Sequence, residues 1–150
     1  MNTDHIHLQV KLYRLTNLMI QREQVFFKRY GLTQKQFNML RILRGSYPQS
    51  VSLSQVSERL IDKSSDITRL AARLTHKNLI SITANQNDRR YKDASITKSG
   101  LDLLSQIDKA APTEMSTGIE KLDENECQTL SRLIDKIHGD GNLKSEIEIK

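Results

Sequence analysis

Apolar residues recur at steps of three and four through the first thirty positions: Leu8, Leu12, Leu15 and Met19, then Val25 and Phe26. That spacing predicts a long first helix over about residues 5–30. Gly31 closes it, the residue type that most readily turns left-handed at a helix C-terminus. Tyr13, Leu18, Ile20 and Phe27 spread the apolar surface around the same helix. A helix apolar on more than one face must bury more than one face, and a second subunit is the simplest cover. A second helix opens at Thr33, where Thr33 and Gln36 stand at capping-box spacing. Phe37, Leu40, Ile42 and Leu43 give it a buried stripe, and Gly45 and Pro48 mark the loop that ends it. Ser52 or Ser54 can cap a short third helix with Val56 and Leu60 inward.

After a turn at Asp62 and Lys63, Ser64 is expected to cap a fourth helix with Asp66 in its first turn. Ile67, Leu70, Ala71 and Leu74 stand at i, i+3, i+4 and i+7 and define its inner face. Asn78 tolerates the left-handed conformation where that helix should stop. The β-branched runs 79–84 and 94–97 then read as two strands of a hairpin around a charged tip, 85–93. From Thr97 the pattern is helical again through Leu101, Leu104 and Ile107, with Pro112 as a kink or break. A last helix starts near Leu122 and Asp123 and carries Leu130, Leu133, Ile134 and Ile137. The tail, 139–150, is expected to fray.

Two short helices joined by a tight turn and followed by a hairpin describe a winged helix-turn-helix, here over about residues 33–98. The fold class is mainly α with a small β-hairpin wing, flanked by dimerisation helices at about 5–30 and 100–138, all in one domain. With the inner face of the fourth helix assigned, Ser65, Arg69, Ala72, Arg73 and His76 face outward. Arg69 and Arg73 lie one turn apart, and arginine can grip guanine bidentately in the major groove. Ser64, Thr68 and Lys77 complete the candidate contacts on this helix. At the hairpin tip, Asp88, Arg89, Arg90 and Lys92 crowd a thin loop. An arginine there can enter the narrow minor groove, with an acidic neighbour holding its guanidinium.

Composition agrees with this and excludes other classes. The chain has 150 residues, 6 Gly, 2 Pro and 1 Cys. One cysteine rules out an internal disulfide framework, and scarce glycine suits helices more than a large α/β enzyme. No apolar run approaches a membrane span, and the N-terminus lacks the pattern of a signal peptide, so a cytoplasmic protein with no membrane partner is expected. The net charge of +5 is unevenly spread. Residues 1–50 carry eight Lys/Arg against two Asp/Glu, 51–98 nine against five, and 99–150 six against eleven. The basic first two-thirds fit a polyanion such as double-stranded DNA, or simply a lysine-rich solvated surface.

The run DRRYKDASITKSG, Asp88 to Gly100, resembles the wing signature of MarR-type transcriptional regulators. That signature is D-x-R, a spacer, a hydrophobic residue, T, two residues, then G, met at Asp88, Arg90, Ile96, Thr97 and Gly100. Gly31-Leu32-Thr33 and Asp62-Lys63-Ser64-Ser65 are similar to the family's entries into the second and recognition helices. The likeness extends over nearly the whole chain in element order and length. Three positions depart: Asn78 for a common Gly, Ile82 for a basic residue, and Ile96 for the commoner Leu. The resemblance implies a homodimer built from the first and last helices. Each recognition helix and wing would read one half of an inverted repeat, with Arg90 in the minor groove and Asp88 its orienter. It also implies a repressor relieved by a small phenolic or anionic effector.

Tyr13, Phe26, Phe27, Tyr30 and Met39 either line such an effector pocket or fill core and dimer interface. Cys127, beside Glu124 and Glu126, reads as an inert thiol rather than an oxidant sensor. His5, His7, His76 and His138 are scattered, so no metal or other cofactor is expected. No phosphate-cradling, zinc-protease or nucleophile-elbow motif occurs, and an enzyme is not expected. The alternative function is a winged-helix nucleoid or protein-interaction module without a specific operator.

Overall fold

Local caps set where the helices begin. The computed structural model describes residues 3–115 and 117–139. Helix α1 spans Thr3–Arg29, and Gly31 follows with φ 67°. Helix α2, Gln34–Ser46, starts with the expected capping box: Thr33 Oγ1 accepts from Gln36 N and Gln36 Oε1 from Thr33 N. It runs through Gly45 and ends one residue short of Tyr47, later than the Gly and Pro signals suggest. Ser52, not Ser54, caps α3, Leu53–Arg59, in a second capping box with Gln55. Helix α4, Ile67–His76, begins later than expected, because Asp66 is its N-cap and accepts from Arg69 N at 3.0 Å. Ser64 is instead drawn back to Asp62, which accepts from its backbone N–H and its hydroxyl. Asn78 takes the left-handed conformation at φ 57°.

The hairpin strands are β2, Ile80–Ala84, and β3, Lys92–Ile96. A two-residue strand, β1 at Val51–Ser52, adds a third antiparallel member in the order β1-β3-β2. Val51 pairs with Ala94, which also faces Ile82 of β2. Helix α5, Lys98–Glu114, is capped by Thr97 and passes through Pro112 before stopping two residues later. Pro112 therefore sits in the last turn and does not break the helix in its middle.

The chain divides into two units, Met1–Met115 and Ser116–Lys150. In the first, Leu40 and Leu43 of α2, Val56 of α3, Leu74 of α4 and Leu104 of α5 are fully buried together. Each such side chain contributes about 1.5–3 kcal/mol by leaving water. Helix α5, assigned from sequence to the dimerisation helices, thus closes the winged-helix core with Leu104 and Ile107. Arg44 on α2 bonds Asp108 at 2.5 Å and Arg29 on α1 bonds Glu114 at 2.9 Å, both tying α5 to earlier helices. Gln34 donates to the Glu23 carboxylate at 2.5 Å, and partial burial pushes that carboxyl above its ordinary pKa. Along α1 only Phe26 and Phe27 are buried, while Leu8, Tyr13, Leu15, Leu18, Ile20 and Val25 are exposed.

The second unit holds a 3-10 turn at Ile119–Lys121 and helix α6, Glu124–His138, opened by an Asp123/Glu126 capping box. Leu130, Leu133, Ile134 and Ile137 are exposed on it. Cys127 is half-buried, its thiol 3.9 Å from the Leu122 carbonyl. Beyond Gly139, the tail expected to fray lies outside the described residues.

Candidate nucleic-acid interface

Helix α4 divides cleanly into two faces. Leu70, Ala71 and Leu74 are buried, whereas Thr68, Arg69, Ala72, Arg73 and His76 are exposed. The 3.6-residue period places those exposed side chains together, with small Ala72 between the arginines. Ser64 is exposed in the turn before the helix. Ser65, expected on the outer face, instead lies before the cap, and its hydroxyl is shielded from solvent with no partner among the described residues. Lys35 on α2 clasps this turn through Asp62 at 2.6 Å.

Lys77 behaves differently from the arginines. As the C-cap of α4 it donates to the Gly31 carbonyl and, at 3.3 Å, to Gln36 Oε1. Its ammonium pins α4 to the α1–α2 turn, while Lys77 itself stays exposed. Gln36 is buried and is held from both sides, by its capping role and by Lys77.

The wing tip is ordered by a chain of side-chain contacts. Asp93 of β3 accepts from Asn85 Nδ2 through both oxygens at 3.0 Å. Asn85 Oδ1 accepts from the backbone N–H groups of Asn87 and Asp88 at 2.9 and 3.1 Å. Asp88 then takes Arg90 in a fork: Arg90 Nε lies 3.0 Å from Oδ1 and Nη2 2.7 Å from Oδ2. Arg90 also donates its backbone N–H to Oδ1. The Arg90 side chain is 85% exposed, so the guanidinium is aimed without being buried. The hydrogen bonds from Arg90 hold the Asp88 carboxyl below its ordinary pKa. Arg89 and Lys92 are exposed on the same hairpin. Asn85 went unnoticed in the sequence; an Asn three residues before the D-x-R, able to form an Asx turn, was its only signal.

A cleft of about 620 Å³ opens beside α4, between its outer face and the α1–α2 turn. Lys28, Arg69, Arg73 and His76 line it over an apolar floor that includes Leu32 and Ala72. None of the five expected effector-pocket residues lines it. Phe26, Phe27 and Met39 are at most 3% exposed and fill the core, Phe26 packing edge-on to Phe27 with ring centres 5.4 Å apart. Tyr30 packs at a tilt against Phe26 at the core's edge, and Tyr13 stands in solvent on α1. Of the two readings given for these five, Phe26, Phe27 and Met39 take the packing one within the protomer. Among the described residues no cluster of three or more His, Cys, Asp or Glu could hold a metal, and no helix is long and apolar enough to cross a membrane.

The Asp62 carboxyl is pulled down to a pKa of about 2, first by Lys35 and then by the Ser64 hydroxyl and N–H. A depressed carboxylate stabilises the fold above its unfolded value, about 3.9, and loses that contribution as pH falls through about 2. Asp62→Asn should therefore melt below wild type at pH 7, and the gap should close only between about pH 4 and about pH 2. Parallel melting curves across pH test this; a gap already closed at pH 5 would show that Asp62 is not ion-paired in solution.

No protein-family model matches the chain. The chain is 27% identical over 132 residues to the HTH-type transcriptional regulator PapX of Escherichia coli, covering 87% of this chain and 80% of that one. A solved MarR transcription factor from Planctomyces limnophilus superposes with a TM-score of 0.69 at 29% identity, covering 91% and 97% of the two chains. The chain thus resembles MarR-family transcription factors in sequence and in fold. The relatives it matches are transcriptional regulators. A mutant of Escherichia coli MarR solved with operator DNA shares the fold, with a TM-score of 0.72 at 19% identity over 91% and 96% of the chains.

The MarR-type wing signature has a mechanical reading here. Its Asp and Arg form the fork at the tip. Its Thr97 caps α5 through Gly100 N at 3.1 Å, donates its hydroxyl to the Asn78 carbonyl at 2.7 Å, and bonds Leu79 O through its own N–H. Its Gly100 packs where a Cβ would stand 2.3 Å from that same Leu79 oxygen. The signature thus fixes both ends of the wing, its Asp88–Arg90 tip and its seam with α5.

Proposed function

We propose that this chain is a MarR-type, homodimeric, ligand-responsive repressor of an inverted-repeat operator. In each protomer, Arg69, Arg73, Thr68 and Ser64 would read or position on the major groove. Arg90 would enter the minor groove, with Arg89 and Lys92 on adjacent phosphates. The observation that carries the reading is the Asp88–Arg90 fork: an almost fully exposed guanidinium held in one orientation suits a groove-reading contact better than a solvated charge. The exposed apolar residues of α1 and, separately, of α6 support a dimer, since neither helix could keep them in water without cost. Repression and relief by a small phenolic or anionic effector rest on the family resemblance alone.

The test is titration onto duplex DNA from upstream of the chain's own gene and onto scrambled DNA, at several salt concentrations. A specificity ratio of about 10³ or more with a steep salt slope is expected. Equal, weak, salt-labile binding to both would favour a nonspecific nucleoid or protein-interaction module.

A further inference from the structure

The cleft beside α4 joins two side chains that the contacts proposed above do not use, Lys28 at the end of α1 and His76 in the last turn of α4. Lys28 and His76 are both exposed in its wall. The charged groups that face His76 there are Lys28 from α1 and Arg69, Arg73 and Lys77 from its own helix and cap; α2 contributes only uncharged side chains. No carboxylate lines the cleft, and Lys77 is already bonded to Gly31 and Gln36. An uncompensated cationic trough alongside a helix that enters the major groove lies where the groove's own sugar-phosphate wall must run.

We propose that this cleft is a phosphate seat for the DNA backbone. Lys28 and His76 hold one phosphate beside the recognition helix, and operator affinity is thereby linked to a proton. The proposal rests on the DNA-binding reading and extends its footprint to α1. Histidine changes charge between pH 5 and 8. A phosphate in contact with the imidazole favours the imidazolium, so binding takes up a proton and tightens as pH falls. The wing does not contribute to that dependence, because Asp88 stays ionised throughout this range.

The experiment is fluorescence anisotropy on duplex DNA from upstream of the chain's own gene, with wild type, Lys28→Ala, His76→Gln and Arg73→Ala. Wild-type affinity should rise by about fivefold or more from pH 8 to pH 6, and His76→Gln should abolish most of that rise. Lys28→Ala should weaken binding and lower the salt slope by about one unit. Both side chains are exposed, so melting temperatures should match wild type and exclude misfolding as the cause. If either readout is unmoved in a protein whose DNA binding Arg73→Ala still impairs, the phosphate seat is overturned and the regulator reading stands. A wild type that binds no duplex overturns both.

Discussion

Gly100→Ala should destabilise the protein by about 3 kcal/mol, lowering the melting temperature by about 6–12 °C. The new Cβ would lie 2.3 Å from the Leu79 carbonyl oxygen and 2.7 Å from Ile96 Cγ1. Neither neighbour can retreat at low cost. The Leu79 oxygen accepts from Thr97 N at 3.1 Å, and Ile96 is buried at the end of β3, paired with Ile80. Relief requires α5 to lift from the base of the wing, which uncovers the Leu104 and Ile107 contacts as well. Ser99→Ala, one residue earlier and exposed, should melt like wild type. Thermal melts of the two variants decide the matter; a Gly100→Ala protein as stable as wild type would mean that α5 can slide freely over the wing.

Arg90→Ala should weaken operator binding by about tenfold or more, within the ~1–3 kcal/mol usual for one groove-reading arginine. Stability should barely change, because the Asp88–Arg90 pair is on the surface. Asp88→Ala separates aim from charge. It frees the guanidinium without removing it, so affinity should fall by less and the salt slope should not drop. Arg90→Ala should lower that slope by about one unit. Arg90→Lys keeps the charge but cannot form the fork with both Asp88 oxygens and should behave much like Asp88→Ala. Equal affinities for Arg90→Ala and wild type would remove the wing from the reading mechanism.

What could be foreseen from sequence was local. The Thr33/Gln36 box, the left-handed Gly31 and Asn78, and the inner face of α4 each depend on residues within two turns of one another. The cap of α4 shows the limit of that logic: Ser64 was expected there, but Asp62 engages Ser64 and Asp66 takes the cap. Strand β1 is two residues long and exists only because β3 pairs with it. The Lys77 bond to Gly31 joins positions 46 apart, and the cleft is assembled from residues 28 to 77. No periodicity encodes such juxtapositions. Phe26, Phe27 and Met39 were ambiguous for another reason, since a large apolar side chain suits a ligand wall and a core equally until the packing is seen.

The bond from Lys77 to Gly31 fastens α4 to the hinge end of a lever. Helix α1 has 27 residues and is therefore ~40 Å long. A tilt of ~5° about the Gly31 turn would swing its far end by ~3.5 Å and leave Gly31, and with it the end of α4, almost still. Rocking of the first helix is thus geared down before it reaches the outer face of α4. Only a push along its axis, or an unwinding of its last turn, would carry Lys77 with it.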